Sequence, residues 1–225
     1  RDPAIDCPPT SMENVVIQIR DGDTGHIERL AAPAALRKCG GSGANWAHQR
    51  IMFADFSGRG FPGDFVVKLG ENVLAFDNNL ELLWTYVCPW TEYSMCPSYI
   101  PSVGDIDGDG RDEVNGGYFL LDSDGAVMWE KQLSKNMDSV TITAWDGGKM
   151  RAFCSGGGHI MDKNGTIVLK LGEKLVPHGQ ELRVGDFDKS SPGPEMAIRY
   201  NGHTPEVMLV DVRGDILRRF ELNYS

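Results

Sequence analysis

Four times along the chain a short apolar run ends in an aspartate, turns, and resumes as a second short apolar run. The copies are Leu74-Ala75-Phe76-Asp77 with Leu82-Leu83-Trp84, Phe119-Leu120-Leu121-Asp122 with Val127-Met128-Trp129, Ile160-Met161-Asp162 with Ile167-Val168-Leu169, and Leu209-Val210-Asp211 with Ile216-Leu217. Their aspartates recur at the roughly 40–50-residue period of propeller blades. A second motif precedes three of them: Asp55-Phe56-Ser57-Gly58-Arg59-Gly60, Gly104-Asp105-Ile106-Asp107-Gly108-Asp109-Gly110, and Val184-Gly185-Asp186-Phe187-Asp188. In the third copy this start is degenerate. Each unit reads as strand, acidic loop, strand, short link, strand, Asp-x-x-Gly hairpin, strand, which makes four antiparallel strands. Long helical periodicity is nearly absent, and 27 glycines supply turns. The chain is expected to be all-β, a β-propeller of four-stranded antiparallel blades.

The blades are placed at about 51–87, 100–133, 139–172 and 181–222. Ahead of them, Val15 to Ile19 and His26 to Leu30 supply only the last two strands of a blade, joined at Asp21-Gly22-Asp23-Thr24-Gly25. This half blade spans about 15–30. A ring that begins mid-blade must borrow its missing strands or leave a sheet edge open. Residues 1–225 are therefore expected to form a single partial propeller, completed by the remaining blades of the same protein or by a companion fragment.

A formal net charge of −10 argues against a nucleic-acid partner, whose phosphates a basic surface would be needed to neutralise. No apolar run is long enough to cross a bilayer as a helix, so no membrane partner is expected. Of the five cysteines, Cys7, Cys39, Cys88, Cys96 and Cys154, the pair Cys88 and Cys96 brackets one short loop. That spacing suits a disulfide in an oxidising compartment; the alternative is buried thiols throughout.

Blade geometry sorts the remaining motifs. The start of each first strand lies on the same face as the link between second and third strands. His48, Cys96 and His178 each fall seven to nine residues before a repeat aspartate, just ahead of a first strand. The longest second-to-third link, Arg199-Tyr200-Asn201-Gly202-His203, lands on that face too. His, Tyr and Arg there are the groups that proton abstraction beside a carboxylate requires. The competing view is that His48 and His178 only pack or cap strand ends. A third possibility is zinc held by His48, Cys96, His178 and His203, although no short metal-ligand spacing supports it. No G-x-S-x-G elbow suggests a serine hydrolase.

On the opposite face, Asp105, Asp107, Asp109 and Glu113 alternate with glycines that allow a tight turn, an oxygen-rich arrangement suited to Ca²⁺. The loop is not an EF-hand, because its twelfth position is Gly116. Asp186, Asp188 and Glu195 make a poorer copy. The expectation is one structural calcium, with a metal-free acidic turn as the alternative.

The Asp-rich blade starts, the segment His178-Gly179-Gln180-Glu181-Leu182-Arg183-Val184-Gly185-Asp186, and Arg199-Tyr200-Asn201-Gly202-His203 resemble the β-propeller polysaccharide lyases, the ulvan lyases and the rhamnogalacturonan-lyase-like group. The resemblance covers most of residues 50–221. It implies part of a seven-bladed ring, secreted or periplasmic, cleaving an acidic, uronate-containing polysaccharide by β-elimination. It further implies Arg199 on the uronate carboxylate, His178 as base and Tyr200 as acid or alternative base. His203, Asn201 and His48 would then hold substrate. The runner-up is a non-catalytic propeller that binds carbohydrate or protein through the same face.

Overall fold

Each repeat folds as one sheet in the computed structural model, which describes residues 16–31, 34, 36, 50–69, 71–89, 98, 101–133, 137–200 and 206–222. The half blade is β1 (Ile17–Arg20) and β2 (Ile27–Ala31). Blade 1 is β3 (Arg50–Ala54), β4 (Asp64–Leu69), β5 (Asn72–Phe76) and β6 (Leu82–Val87). Blade 2 is β7 (Ser102–Gly104), β8 (Glu113–Asn115), β9 (Phe119–Leu121) and β10 (Val127–Glu130). Blade 3 is β11 (Val140–Ala144), β12 (Met150–Cys154), β13 (His159–Met161) and β14 (Ile167–Lys170). Blade 4 is β15 (Gly179–Gly185), β16 (Glu195–Tyr200), β17 (Glu206–Val210) and β18 (Ile216–Glu221). Every sheet is an antiparallel meander in which sequence neighbours pair. The expected all-β fold of four-stranded antiparallel sheets is borne out.

The sheets sit face to face. The middle strands β4, β8, β9 and β13 are buried along their whole length, whereas the fourth strands are largely exposed. Both faces of these strands are covered, so β9 and the centre of β4 read as continuous apolar runs, while the polar Glu113, Asn115 and His159 are buried with them. The core accordingly lies in layers between neighbouring blades: one cluster joins blades 1 to 3, another joins blades 3 and 4, and a third joins the half blade to blade 1. The first strands β3, β7, β11 and β15 approach one another in series. Side chains lace them: the Ile142 amide donates to Ser102 Oγ at 2.9 Å, and the Leu182 amide to Ser139 Oγ at 3.1 Å.

One device fixes each blade to the next. In all five sheets the last strand carries a bulge at the same place, and one residue follows it: Arg29, Trp84, Trp129, Leu169 and Arg218. A bulge adds twist and re-aims the side chain beyond it. Trp84, Trp129 and Leu169 lie over the hairpin glycines of the following blade, Gly125, Gly165 and Gly214. Gly125 shows why the hairpin needs glycine: its φ is +83°, and an added Cβ would stand 2.7 Å from the Trp84 ring. Trp84 Nε1 also donates to the Ser123 carbonyl at 2.9 Å. Arg29 makes the corresponding bond to the Asn78 carbonyl at 2.6 Å. Among the described residues no indole covers that hairpin, and a leucine, Leu80, occupies its left-handed position with φ +68°.

Candidate active-site cleft and acidic loops

The starts of the first strands surround a cleft of about 500 Å³. Arg50 from β3, Ser102 from β7, Asp138 and Ser139 ahead of β11, Gln180, Glu181 and Arg183 from β15, and Arg199 from β16 all line it. Residues far apart in sequence meet because every blade presents the same end of its first strand to one axis. Three guanidiniums and two carboxylates share this space, so an otherwise acidic protein carries a local cationic patch.

His178 immediately precedes β15, and its Nε2 lies 3.4 Å from Asp138 Oδ1. Asp138 is itself positioned by its backbone, whose amide faces the Gly179 carbonyl at 3.3 Å and Ser155 Oγ at 3.2 Å. The histidine ring is therefore held at the rim of the cleft by a carboxylate that lines it. A carboxylate in that position orients an imidazole.

Arg199 stands opposite Glu181 in the β15–β16 register and lines the cleft. Tyr200, the next residue, points the other way because side chains alternate along a strand. Its hydroxyl donates to Glu206 Oε1 at 2.6 Å, and Glu206 also accepts two bonds from Arg219 Nη1, each 2.9 Å. Burial, then the Glu206 carboxylate, pushes the Tyr200 phenol up. Arg199 thus lines the cleft, His178 is joined to it through Asp138, and the Tyr200 hydroxyl is tied to Glu206 on β17. His48, Cys96, Asn201 and His203 lie outside the described residues, so His178 is the only described member of the set offered for zinc. Cys88 is disulfide-bonded, to a partner outside the described residues. Cys154 is a buried thiol pushed up to about 12 by burial.

Arg50, Asp138, Glu181 and Arg183 escaped the sequence analysis. A signal existed for two of them: Arg50 and Arg183 stand five and three residues before the repeat aspartates Asp55 and Asp186. Reading it required knowing which alternating positions of a first strand face the axis.

At the far end of the blades, the registers Gly104 to Glu113 and Gly185 to Glu195 close each first pair on its acidic loop. Asp64, Glu113 and Glu195 hold equivalent buried positions at the start of the second strand. Each turns one carboxylate oxygen onto its loop. Asp64 Oδ2 accepts from the Ser57 amide and hydroxyl, Glu113 Oε2 from the Ile106 amide, and Glu195 Oε2 from the Phe187 and Asp188 amides. The second oxygen is paired only in blade 1; in blade 4, as in blade 2, it is buried without a hydrogen-bond partner among the described residues. In blade 1 it pairs with the Arg59 guanidinium. In blade 2, Glu113 Oε1 is buried without a hydrogen-bond partner, while oxygens of Asp105, Asp107 and Asp109 gather within 4.8 Å of one another in the same loop. Burial, and then these three carboxylates, push Glu113 up to about 8. A cation among the three aspartates would relieve their mutual repulsion, so this oxygen-rich donor set fits a hard ion.

No protein-family model matches the sequence, and no curated protein matches it. Solved structures do. The exotype rhamnogalacturonan lyase YesX superposes with a TM-score of 0.69 at 19% identity, covering 90% of this chain and 37% of that one. Rhamnogalacturonan lyase YesW gives 0.68 at 20% identity, again over 90% and 37%. The Bacillus licheniformis rhamnogalacturonan lyase PL11 gives 0.65 at 21%, with the same coverage. The fold is like that of the rhamnogalacturonan lyases. The chain spans 37% of the length of each of these relatives.

Proposed function

We propose that this chain carries a polysaccharide-lyase site that cleaves a uronic-acid-containing glycan, of the rhamnogalacturonan or ulvan type, by β-elimination. The observation that carries the proposal is the cleft lined by Arg199, Arg50, Arg183 and Asp138, with His178 3.4 Å from that Asp138. The likeness in fold to rhamnogalacturonan lyases supports the same class of substrate.

A proton α to a carboxylate is a weak acid, so a base alone removes it slowly. A guanidinium held on that carboxylate stabilises the charge that develops in the transition state. Arg199 suits this because its fork binds a carboxylate in two bonds and stays charged. Neutral His178 takes the C5 proton, and Asp138 stabilises the imidazolium that forms. The electron pair of the C–H bond becomes the C4–C5 double bond, and the C4–O bond breaks. His178 then returns the proton to the leaving oxygen. In this scheme Tyr200 holds the β16–β17 end in place through Glu206 and transfers no proton.

The loop of Asp105, Asp107, Asp109 and Glu113 would hold a calcium ion. Bound there, the ion neutralises four carboxylates; lying at the end remote from the cleft, it supplies stability and takes no part in the elimination. A disulfide at Cys88 supports a secreted or periplasmic location, where disulfides persist.

The test is incubation with a panel of acidic polysaccharides, read by the ultraviolet absorbance of the unsaturated uronate. Absorbance should rise with at least one rhamnose-uronate glycan, and His178→Ala should lower the rate by ~10²–10⁴-fold. Binding without any absorbance would make the protein a carbohydrate-binding propeller instead. A His178→Ala variant with undiminished turnover would remove this cleft as the catalytic site.

A further inference from the structure

Asp138 and His178 come from different blades, and one buried hydroxyl joins the segments that carry them. Asp138 precedes β11 of blade 3, and His178 precedes β15 of blade 4. Ser155, in the link from β12 to β13, is fully buried and bonds to both segments. Its Oγ accepts from the Asp138 amide at 3.2 Å and from the Ser139 amide at 3.1 Å, and it donates to the Gly179 carbonyl at 2.7 Å. A hydroxyl has one proton and two lone pairs, so its whole capacity is used. The Ser155 amide adds a further bond, to the Ser139 carbonyl at 2.9 Å. Gly179 is pressed against the same residue: a Cβ there would stand 1.7 Å from the Ser155 carbonyl oxygen.

We infer that Ser155 is a positioning residue, setting the separation of the Asp138 carboxylate from the His178 imidazole through the backbones of Asp138 and Gly179. The inference rests on the proposal that His178 is the base of a lyase site. The atoms that Ser155 holds lie next to the pair: one is the amide of Asp138 itself, the other the carbonyl of the residue after His178. The direct bond between the two segments, from the Asp138 amide to the Gly179 carbonyl, is longer, at 3.3 Å. The contact being set is a sensitive one. Nε2 and Oδ1 stand 3.4 Å apart, close to the limit at which a side-chain hydrogen bond forms. A displacement of roughly a few tenths of an ångström would break it.

A buried hydroxyl that satisfies backbone groups contributes stability wherever it lies. This one spans two blades at the point where one presents the carboxylate and the other the imidazole. Losing it leaves two amides and a carbonyl short of a partner. The segments can then move apart without opening either blade, because the β11–β12 and β15–β16 ladders remain. Arg50, Arg183 and Arg199 are held by strand pairs of their own. The hydroxyl therefore bears on the proton transfer more than on the binding of a carboxylate.

The test reads the His178 ring directly, by nitrogen NMR of the intact isotope-labelled protein, with the resonances identified by their loss in His178→Gln. Asp138→Asn, which removes the carboxylate charge, sets the scale of the change. Ser155→Ala should move the His178 resonances in the same direction and by a comparable amount. Ser155→Cys fills nearly the same space with a weak hydrogen-bonding group and should move them less; it decides the matter if the alanine variant fails to fold. Resonances that superpose on those of the parent would overturn the inference, whether or not the protein is a lyase. On a glycan that the parent cleaves, Ser155→Ala should lower kcat by ~10–10²-fold and leave KM within about twofold. In the His178→Ala background it should cost nothing further, because it acts through that ring. An equal loss in both backgrounds would place its effect elsewhere and sink the assignment. A parent that gives no absorbance with any glycan would remove the lyase reading instead, and the spectra would then decide the role of Ser155 alone.

Discussion

Tyr200 and His178 show how much a one-residue alternation decides. Both belong to the cleft end of blade 4, and both are chemically able to move a proton. Because Arg199 faces the cleft, Tyr200 faces away, and its hydroxyl is bonded to Glu206. Tyr200→Phe should therefore leave turnover within a few-fold of the parent and cost about 1 kcal/mol of stability, the order of one partly exposed hydrogen bond. Steady-state rates and urea denaturation of the variant measure the two. Loss of activity with unchanged stability would return the tyrosine to the chemistry.

A second histidine governs stability instead. His159 is buried at the start of β13, with Nδ1 2.6 Å from the Gly156 carbonyl. Burial holds its imidazole below the ordinary value of 6.5. Just below that pH the unfolded chain binds a proton that the folded chain does not. The stabilisation from the neutral buried ring is thus complete above 6.5 and is lost as pH falls below it. Denaturant unfolding at about pH 5 and about pH 7.5 should differ, with the lower pH less stable. His159→Gln should shrink that difference. An equal difference in parent and variant would assign the pH dependence to other groups.

At the scale of the element, the three acidic loops show one frame with different means of meeting its charge. Blade 1 carries its own cation, Arg59 on Asp64. Blade 4 has Lys189 on Asp186 and Arg218 on Asp188. Blade 2 gathers Asp105, Asp107 and Asp109, and its Glu113 Oε1, like Glu195 Oε1 of blade 4, is buried without a hydrogen-bond partner. Chelation should lower thermal stability through this loop, by about 2.7 kcal/mol if the ion stood at a hundredfold its dissociation constant. Asp107, an exposed member of the cluster, separates the effects: Asp107→Ala should abolish the response to chelator while changing metal-free stability little. An unchanged melting curve after exhaustive chelation, with no metal released, would make the loop an acidic turn only. The loops are also joined across blades, since the Asp55 amide donates to Asp112 Oδ2 at 2.7 Å and the Asp112 amide to the Asp55 carbonyl at 3.1 Å. A change in loop 2 should therefore be felt in blade 1.

In the whole molecule, stability resides in the layers between blades. Trp129 illustrates the consequence: it is buried, belongs to the cluster that joins blades 1 to 3, and lies over Gly165 of blade 3. Trp129→Ala should cost about 3–5 kcal/mol, as for other large core truncations, and equilibrium unfolding would measure it. A cost near zero would mean that the layers do not carry the fold.

The repeat and the strand order were legible in the sequence because they arise locally. Apolar runs broken by Asp-x-x-Gly turns can form only short antiparallel strands, and a turn sets the register of the strands beside it. The carboxylate spacing of the blade 2 loop was legible for the same reason. What the sequence could not specify were relations between residues one or more blades apart. The meeting of Arg50, Asp138, Glu181, Arg183 and Arg199 depends on how the first strands lean together, and it joins positions up to 149 residues apart. Which way Tyr200 turns follows from which way its neighbour Arg199 turns, and that depends on β16 lying with Arg199 against the cleft. Whether an acidic loop finds its counter-charge depends on where Arg59 lands in three dimensions. Local turn chemistry wrote the blades; the packing of one blade on the next decided which of their side chains face a common cleft.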